Sequence, residues 1–144
     1  MAGARPSTSG GRATEPLTEK FRNVARVRGK GDAGPAQVLR QLPRRRVYVH
    51  TARWTSLDVG LMKAMFVGLP VVAFASTMAS TLIPPEAGVV SANVRTLTLA
   101  TETFVIDLPA AAAAGKAARD YAVAHFALDR FVAEWDAVIA ELAS

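Results

Sequence analysis

Apolar residues are scattered through the first third of the chain and become regularly patterned only after Arg46. Val47 to Val49 is a short apolar run that reads as a strand, and a polar segment comes after it. Leu57, Leu61, Met62, Met65, Phe66 and Leu69 then recur at the spacing of one buried helix face. Ser56 is placed to cap that helix, its side-chain oxygen accepting a backbone N–H that has no partner within the first turn. Gly68 and Pro70 stop the helix, and Val71 to Ala75 is continuously apolar and partly β-branched, as a strand buried on both faces should be. The stretch predicts a βαβ unit, with a right-handed crossover by default.

On either side of this unit the pattern is shorter-ranged. Met1 to Thr14 is rich in Gly, Ser, Thr, Arg and Ala, a composition that cannot bury enough apolar surface to offset ordering the backbone. Leu17, Phe21, Val24 and Val27 predict a short helix of marginal stability, and Gly29, Gly31 and Gly34 break it. Pro35 suits the first turn of a second short helix through Leu42, which Pro43 ends. Beyond Val71–Ala75, Ser76 to Ile83 reads as a polar turn and Pro84 to Gly88 as a second loop at the same edge of the sheet. Val89-Val90 allows a small strand, and Asn93 caps a helix to about Ile106, with Val94, Leu97, Leu99 and Phe104 partly in register. Ala110 to Phe126 predicts an Ala-rich helix mildly broken at Gly115. Leu128, Phe131, Val132, Trp135, Val138, Ile139 and Leu142 give the last helix a strong apolar stripe, whose spacing predicts that Phe131 and Trp135 belong to the core.

The fold class that results is α/β: a partial Rossmann-like domain with a small parallel sheet flanked by helices and a long C-terminal helical segment. Its expected organisation is a basic, largely disordered arm over residues 1–34 and a domain over residues 35–144. At 144 residues there is room for one ordinary domain. Charge obeys the same division. Residues 1–46 carry eleven Lys/Arg against three Asp/Glu, whereas residues 47–144 carry six against nine. Such an arm reads first as a solvated segment, and otherwise as a contact for nucleic acid or an acidic surface. Arg44-Arg45-Arg46 has no interleaved aromatic residues of the kind that stack on bases. The chain has no cysteine, which excludes disulfides and thiolate metal sites. No apolar run approaches the roughly 18 residues of a membrane span, and no secretory leader opens the chain, so the expected location is cytoplasmic.

Ala64-Met65, Gly68 and Pro70-Val71-Val72 resemble the Glu-Ala-Met-x-x-Gly-x-Pro-Val-Val segment of retaining, two-domain glycosyltransferases of the GT-B fold, of the group-one, family-four type. Pro84 to Ser91, Gly115 to Arg119 and Asp129 to Asp136 extend the resemblance over roughly residues 31 to 144, the C-terminal donor-binding domain of that family. It implies a Rossmann-like domain that binds a nucleotide-sugar, transferring a hexosyl group only when completed by an acceptor domain. It implies a truncated domain with a degenerate Glu-x7-Glu motif, because the family's two glutamates fall on Thr55 and Lys63 and a third acidic position on Met78. By the same resemblance the last helix braces the acceptor domain.

The resemblance places donor contacts on the loop 50–58 and on the turn after the second strand. The candidates are His50, Thr51, Thr55, Ser56, Leu57, Lys63, Ser76 and Thr77. Amide groups at a helix N-terminus suit a diphosphate, but Asp58 puts a carboxylate there, which suits the helix dipole and repels a second anion. The second Glu of the family accepts hydrogen bonds from ribose hydroxyls; the Lys63 ammonium has three donors and no acceptor. His50 reads either as a satisfied structural histidine or as a donor to phosphate, and His125 as structural. No confident catalytic residue, metal site or cofactor emerges; a nucleotide-sugar would be the substrate, and transfer by this chain alone is not expected. The expected partners are a nucleotide-sugar and either an acceptor-domain chain or a second copy meeting at the sheet edge. A non-catalytic remnant or interaction module, and nucleic-acid contact through the basic arm, remain as alternative functions.

Overall fold

The computed structural model describes residues 33–54, 58–76 and 78–143. The chain divides after Gln37 into two compact units, and the unit from Val38 onward carries every strand among the described residues. Helix α1 (Pro35–Gln41) runs into a 3-10 turn (Leu42–Arg44), succeeded by β1 (Tyr48–His50), α2 (Val59–Phe66) and β2 (Val71–Phe74). A short α3 (Ala79–Leu82), a 3-10 turn (Pro85–Ala87) and β3 (Gly88–Ser91) lead to α4 (Val94–Ile106), α5 (Leu108–Phe126) and α6 (Leu128–Leu142). The three strands form one parallel sheet in the order β1-β2-β3. Tyr48 is in register with Val71, and Val71 with Gly88.

The central strand explains the sheet. Val71, Val72 and Ala73 are completely buried, and alternate side chains enter different clusters. Val71 and Ala73 pack with Leu61 and Met65 of α2 and with Ala118 and Ala122 of α5. Val72 packs with Leu97 and Phe104 of α4 and with Ala111 and Ala114 of α5. A continuous apolar run is thus what a strand covered on both faces requires.

Gly115 does not break the Ala-rich helix, which is continuous from Leu108 to Phe126 and starts two residues earlier than its alanines predict. Instead Gly115 is a point of close approach. A Cβ there would lie 2.1 Å from the Gly68 carbonyl oxygen. Gly68, at φ 78°, takes the left-handed conformation that ends α2. Its N–H reaches the Met65 carbonyl at 2.9 Å, and the Leu69 N–H reaches that of Ala64 at 3.0 Å. From α5, Arg119 donates to the Phe66 carbonyl at 2.8 Å, meeting a carbonyl near the helix end. Asp107 terminates α4 and caps α5, accepting the Ala110 N–H at 2.9 Å, with Pro109 in the first turn.

Several boundaries and placements differ from the sequence reading. Helix α2 is capped by Asp58, whose side chain accepts the Leu61 N–H at 2.9 Å, so Ser56 lies ahead of the cap position and outside the described residues. Part of the predicted polar turn 76–83 is helical, as α3. The loop Pro84–Ala87 precedes β3, whereas the segments after His50 and Phe74 come after their strands. In a parallel sheet these are opposite ends, so Pro84–Ala87 is not at the edge shared by the other two loops. Asn93 caps α4 as expected, by accepting the Arg95 N–H at 2.9 Å, yet only Leu97 and Phe104 of its four candidate residues are buried.

The largest departure is α6. It has no buried residue, and Phe131 and Trp135 are 56% and 54% exposed, their rings 6.1 Å apart. The expectation that this stripe joins the core is wrong. After Ala127, whose extended backbone (ψ 145°) separates α5 from α6, the helix keeps contact with the body near its root, where Leu128 and Phe131 share a groove with Met62 and Phe126, and its apolar face stays exposed.

Candidate functional site

Parallel strands bring the segments after β1 and β2 to one edge of the sheet, which is where open α/β sheets bind ligands. Ser76 fastens the two segments together, its hydroxyl donating to the Ala52 carbonyl at 2.9 Å. Beside them the Arg53 guanidinium lies over the Phe74 ring, 5.5 Å from its centroid, a cation–π distance. A cleft of about 290 Å³ opens here between β1, β2 and α4, lined in part by Val49, His50, Thr51, Phe74 and Leu97.

The cleft wall is mostly apolar because the α4 hydroxyls are already committed. Thr98 donates to the Val94 carbonyl at 3.0 Å and Thr101 to that of Leu97 at 2.8 Å, both bonds closing on their own helix. Glu102 is the one carboxylate among the residues lining the cleft. Val49, nearly half exposed on the edge strand, forms its floor.

On the α2 side of β1 lies a compact polar group. His50 is 5% exposed, and its Nδ1 is 3.9 Å from an Asp58 carboxylate oxygen. Tyr48 is stacked on His50 at a ring separation of 6.2 Å, as residues two apart on one strand face can be. Burial raises the Tyr48 hydroxyl above its ordinary pKa of 10.0, and the Asp58 charge adds to the rise. Gly60 makes room for both groups: a Cβ there would lie 2.8 Å from an Asp58 oxygen and 2.8 Å from the Tyr48 hydroxyl. One Asp58 oxygen is held by the Leu61 amide and the other faces His50, so the α2 N-terminus carries its own anion.

The structure therefore gathers His50, Thr51 and Ser76 at the C-terminal edge of the sheet. Lys63 stands apart, half-buried on α2 and outside the residues that line the cleft. Thr55, Ser56, Leu57 and Thr77 lie outside the described residues, as do residues 1–32, most of the basic arm on which the nucleic-acid reading rests. Sequence reasoning passed over Arg53, Tyr48 and Glu102. Arg53 was the findable one, a cation inside the loop already singled out; Glu102 needed the fold, since it comes from α4, some fifty residues away. Among the described residues no group of His, Asp and Glu could hold a metal ion. No single described helix is long and apolar enough to cross a membrane.

No protein-family model matches the chain, and no curated protein does. Among solved structures it is similar to a sucrose-phosphate synthase from Thermosynechococcus elongatus, with a TM-score of 0.72 and 22% identity. The match covers 90% of this chain and 34% of that one, so the chain spans about a third of the protein it resembles. At this identity the likeness shows the fold alone, a partial Rossmann-like α/β domain of the GT-B kind.

Proposed function

We propose that this chain is a donor-binding domain, taking a nucleotide-sugar into the cleft between β1, β2 and α4, and that hexosyl transfer requires an acceptor domain supplied by another polypeptide segment. The observation that carries the reading is the position of the cleft, at the carboxyl ends of parallel strands in a glycosyltransferase-like fold. Arg53 would neutralise the diphosphate, a role that falls to it because Asp58 already occupies the helix N-terminus. Thr51 and Ser76 would supply hydroxyl contacts at the same edge. Glu102 would accept from the ribose hydroxyls, the task for which Lys63 has no lone pair. The resembled glycosyltransferases carry acidic groups, one near the donor sugar and one on the ribose, where this chain has Thr55 and Lys63, so this chain is expected to bind a donor without transferring its sugar unaided.

The test is a thermal melt of the intact chain with millimolar UDP-sugar or GDP-sugar. A ligand present at a hundred times its Kd should add about 2.7 kcal/mol to the folded state. The expected outcome is an upward shift of the melt with one nucleotide class, diminished in Arg53→Ala and in Glu102→Gln. A cooperative melt that ignores every nucleotide-sugar would end the donor-binding reading. The interaction-module reading would then stand, favoured by a single observation, the uncovered apolar face of α6.

A further inference from the structure

Helix α6 is built as one half of a contact. Leu128, Phe131, Trp135, Val138 and Leu142 occupy alternating three- and four-residue steps, the a and d positions of two heptads, and are between 46% and 83% exposed. Two β-branched residues at the neighbouring e positions widen the stripe. With about 150–250 Å² for a fully exposed aromatic side chain and somewhat less for an aliphatic one, the stripe presents roughly 700 Å² of uncovered apolar surface. A standard interface buries about 800 Å² on each partner. The area on this one helix therefore approaches what a stable dimer needs. At the root of the helix a groove of about 310 Å³, lined by Met62, Phe126, Leu128 and Phe131 among others, continues the surface onto the domain body.

Charge narrows the choice of occupant. The helix carries Asp129, Glu134, Asp136 and Glu141 against a single Arg130. Helices that lie in a membrane surface carry Lys and Arg on their polar face, and an acidic one is repelled by anionic lipid. Heptad spacing instead asks for a facing helix of the same spacing, which a second copy supplies by two-fold symmetry. Direction is set by the g positions, Glu134 and Glu141. In an antiparallel pair these carboxylates would face one another. Aligned in parallel, the Glu134 stem of one copy lies against Ile139 of the other, and no like charges oppose.

We propose that two copies of this chain associate through α6, as a parallel pair of helices whose a and d residues interlock. The proposal is independent of donor binding, and it gives to a second copy the face that the resemblance gives to an acceptor domain; a chain that stays monomeric leaves that face to the acceptor domain. Sedimentation of the intact chain at tens of micromolar should give twice the chain mass, and Trp135→Glu should return it to one. Because α6 has no buried residue, Trp135→Glu should keep the wild-type circular dichroism, which separates loss of pairing from loss of fold. The chain has no cysteine, so Leu142→Cys introduces a single thiol at an a position; on mild oxidation it should form a disulfide-linked dimer in high yield. A wild-type chain that sediments as a monomer at 100 micromolar, or a Trp135→Glu chain that remains a dimer, overturns the proposal. A Leu142→Cys chain that stays unlinked overturns the parallel arrangement and with it the interlock of equivalent positions.

Discussion

Two segments whose apolar residues mark them for burial have opposite fates. Val71, Val72 and Ala73 in β2 have no exposed surface at all, whereas in α6 every described residue is exposed. Both are legible as core from their sequences. The difference is one of position: β2 lies in the middle of a three-stranded sheet with helices on both faces, while α6 follows the extended Ala127 and keeps contact with that body near its root. An apolar stripe therefore states that a surface must be covered, without stating that its own chain covers it.

The contrast can be broken most forcefully where backbones touch. Gly115→Ala sets a methyl 2.1 Å from the Gly68 carbonyl, with backbone on both sides and nothing able to swing away. Its expected cost is at or above the upper end of the usual range of about 1–3 kcal/mol for overpacking, a large share of the roughly 5–15 kcal/mol that holds a domain folded, so the urea midpoint should fall sharply. A Gly115→Ala chain that melts like wild type would show that α5 and the Gly68 turn are not held together as the structure has them.

Cavity formation should discriminate next. Met65 has no exposed surface and joins α2 to the sheet, so Met65→Ala should lose about 2–5 kcal/mol in urea denaturation. Trp135→Ala, measured in protein dilute enough to be monomeric, should change stability by less than about 0.5 kcal/mol. A larger loss there would mean that the α6 stripe is covered within its own chain after all.

Around Asp58 the effects should be smaller and separable. Asp58→Ala removes the α2 cap and should cost about 1 kcal/mol. Asp58→Asn keeps an acceptor for the Leu61 amide but removes the charge, so the Tyr48 hydroxyl should titrate at lower pH than in wild type, as ultraviolet difference spectroscopy would record. The smallest effect is in the pH dependence itself. A tyrosine held above its ordinary pKa of 10.0 binds its proton more tightly folded than unfolded. Its stabilisation is therefore complete below pH 10 and is lost as pH rises from 10 through the folded value. Tyr48→Phe should flatten that alkaline decline, which a pH series of melts would detect.

Local chemistry made much of the fold legible. The helix from Val59 to Phe66, its stop at Gly68, the buried strand from Val71 and the Asn93 cap all arise from residues within a few positions of one another. The α2 cap was displaced by two residues, because Ser56 and Asp58 are both good caps and neither spacing nor residue type ranks them. Of the candidate site, His50, Thr51 and Ser76 were singled out by the resemblance, and they lie at one edge because they fall at or just after the ends of neighbouring parallel strands.

By itself, then, the sequence determined the alternation of strands and helices, the parallel α/β class and the amphipathic face of the last helix. Tertiary structure alone decided three things. It set Glu102 across the cleft from β1, since residues some fifty positions apart meet only when α4 folds over the sheet. It turned Gly115 from an apparent helix breaker into a contact with Gly68, because a missing side chain has meaning only when its neighbour is known. And it left the stripe of α6 uncovered, because periodicity records how much apolar surface must leave water and is silent about which molecule provides the other side.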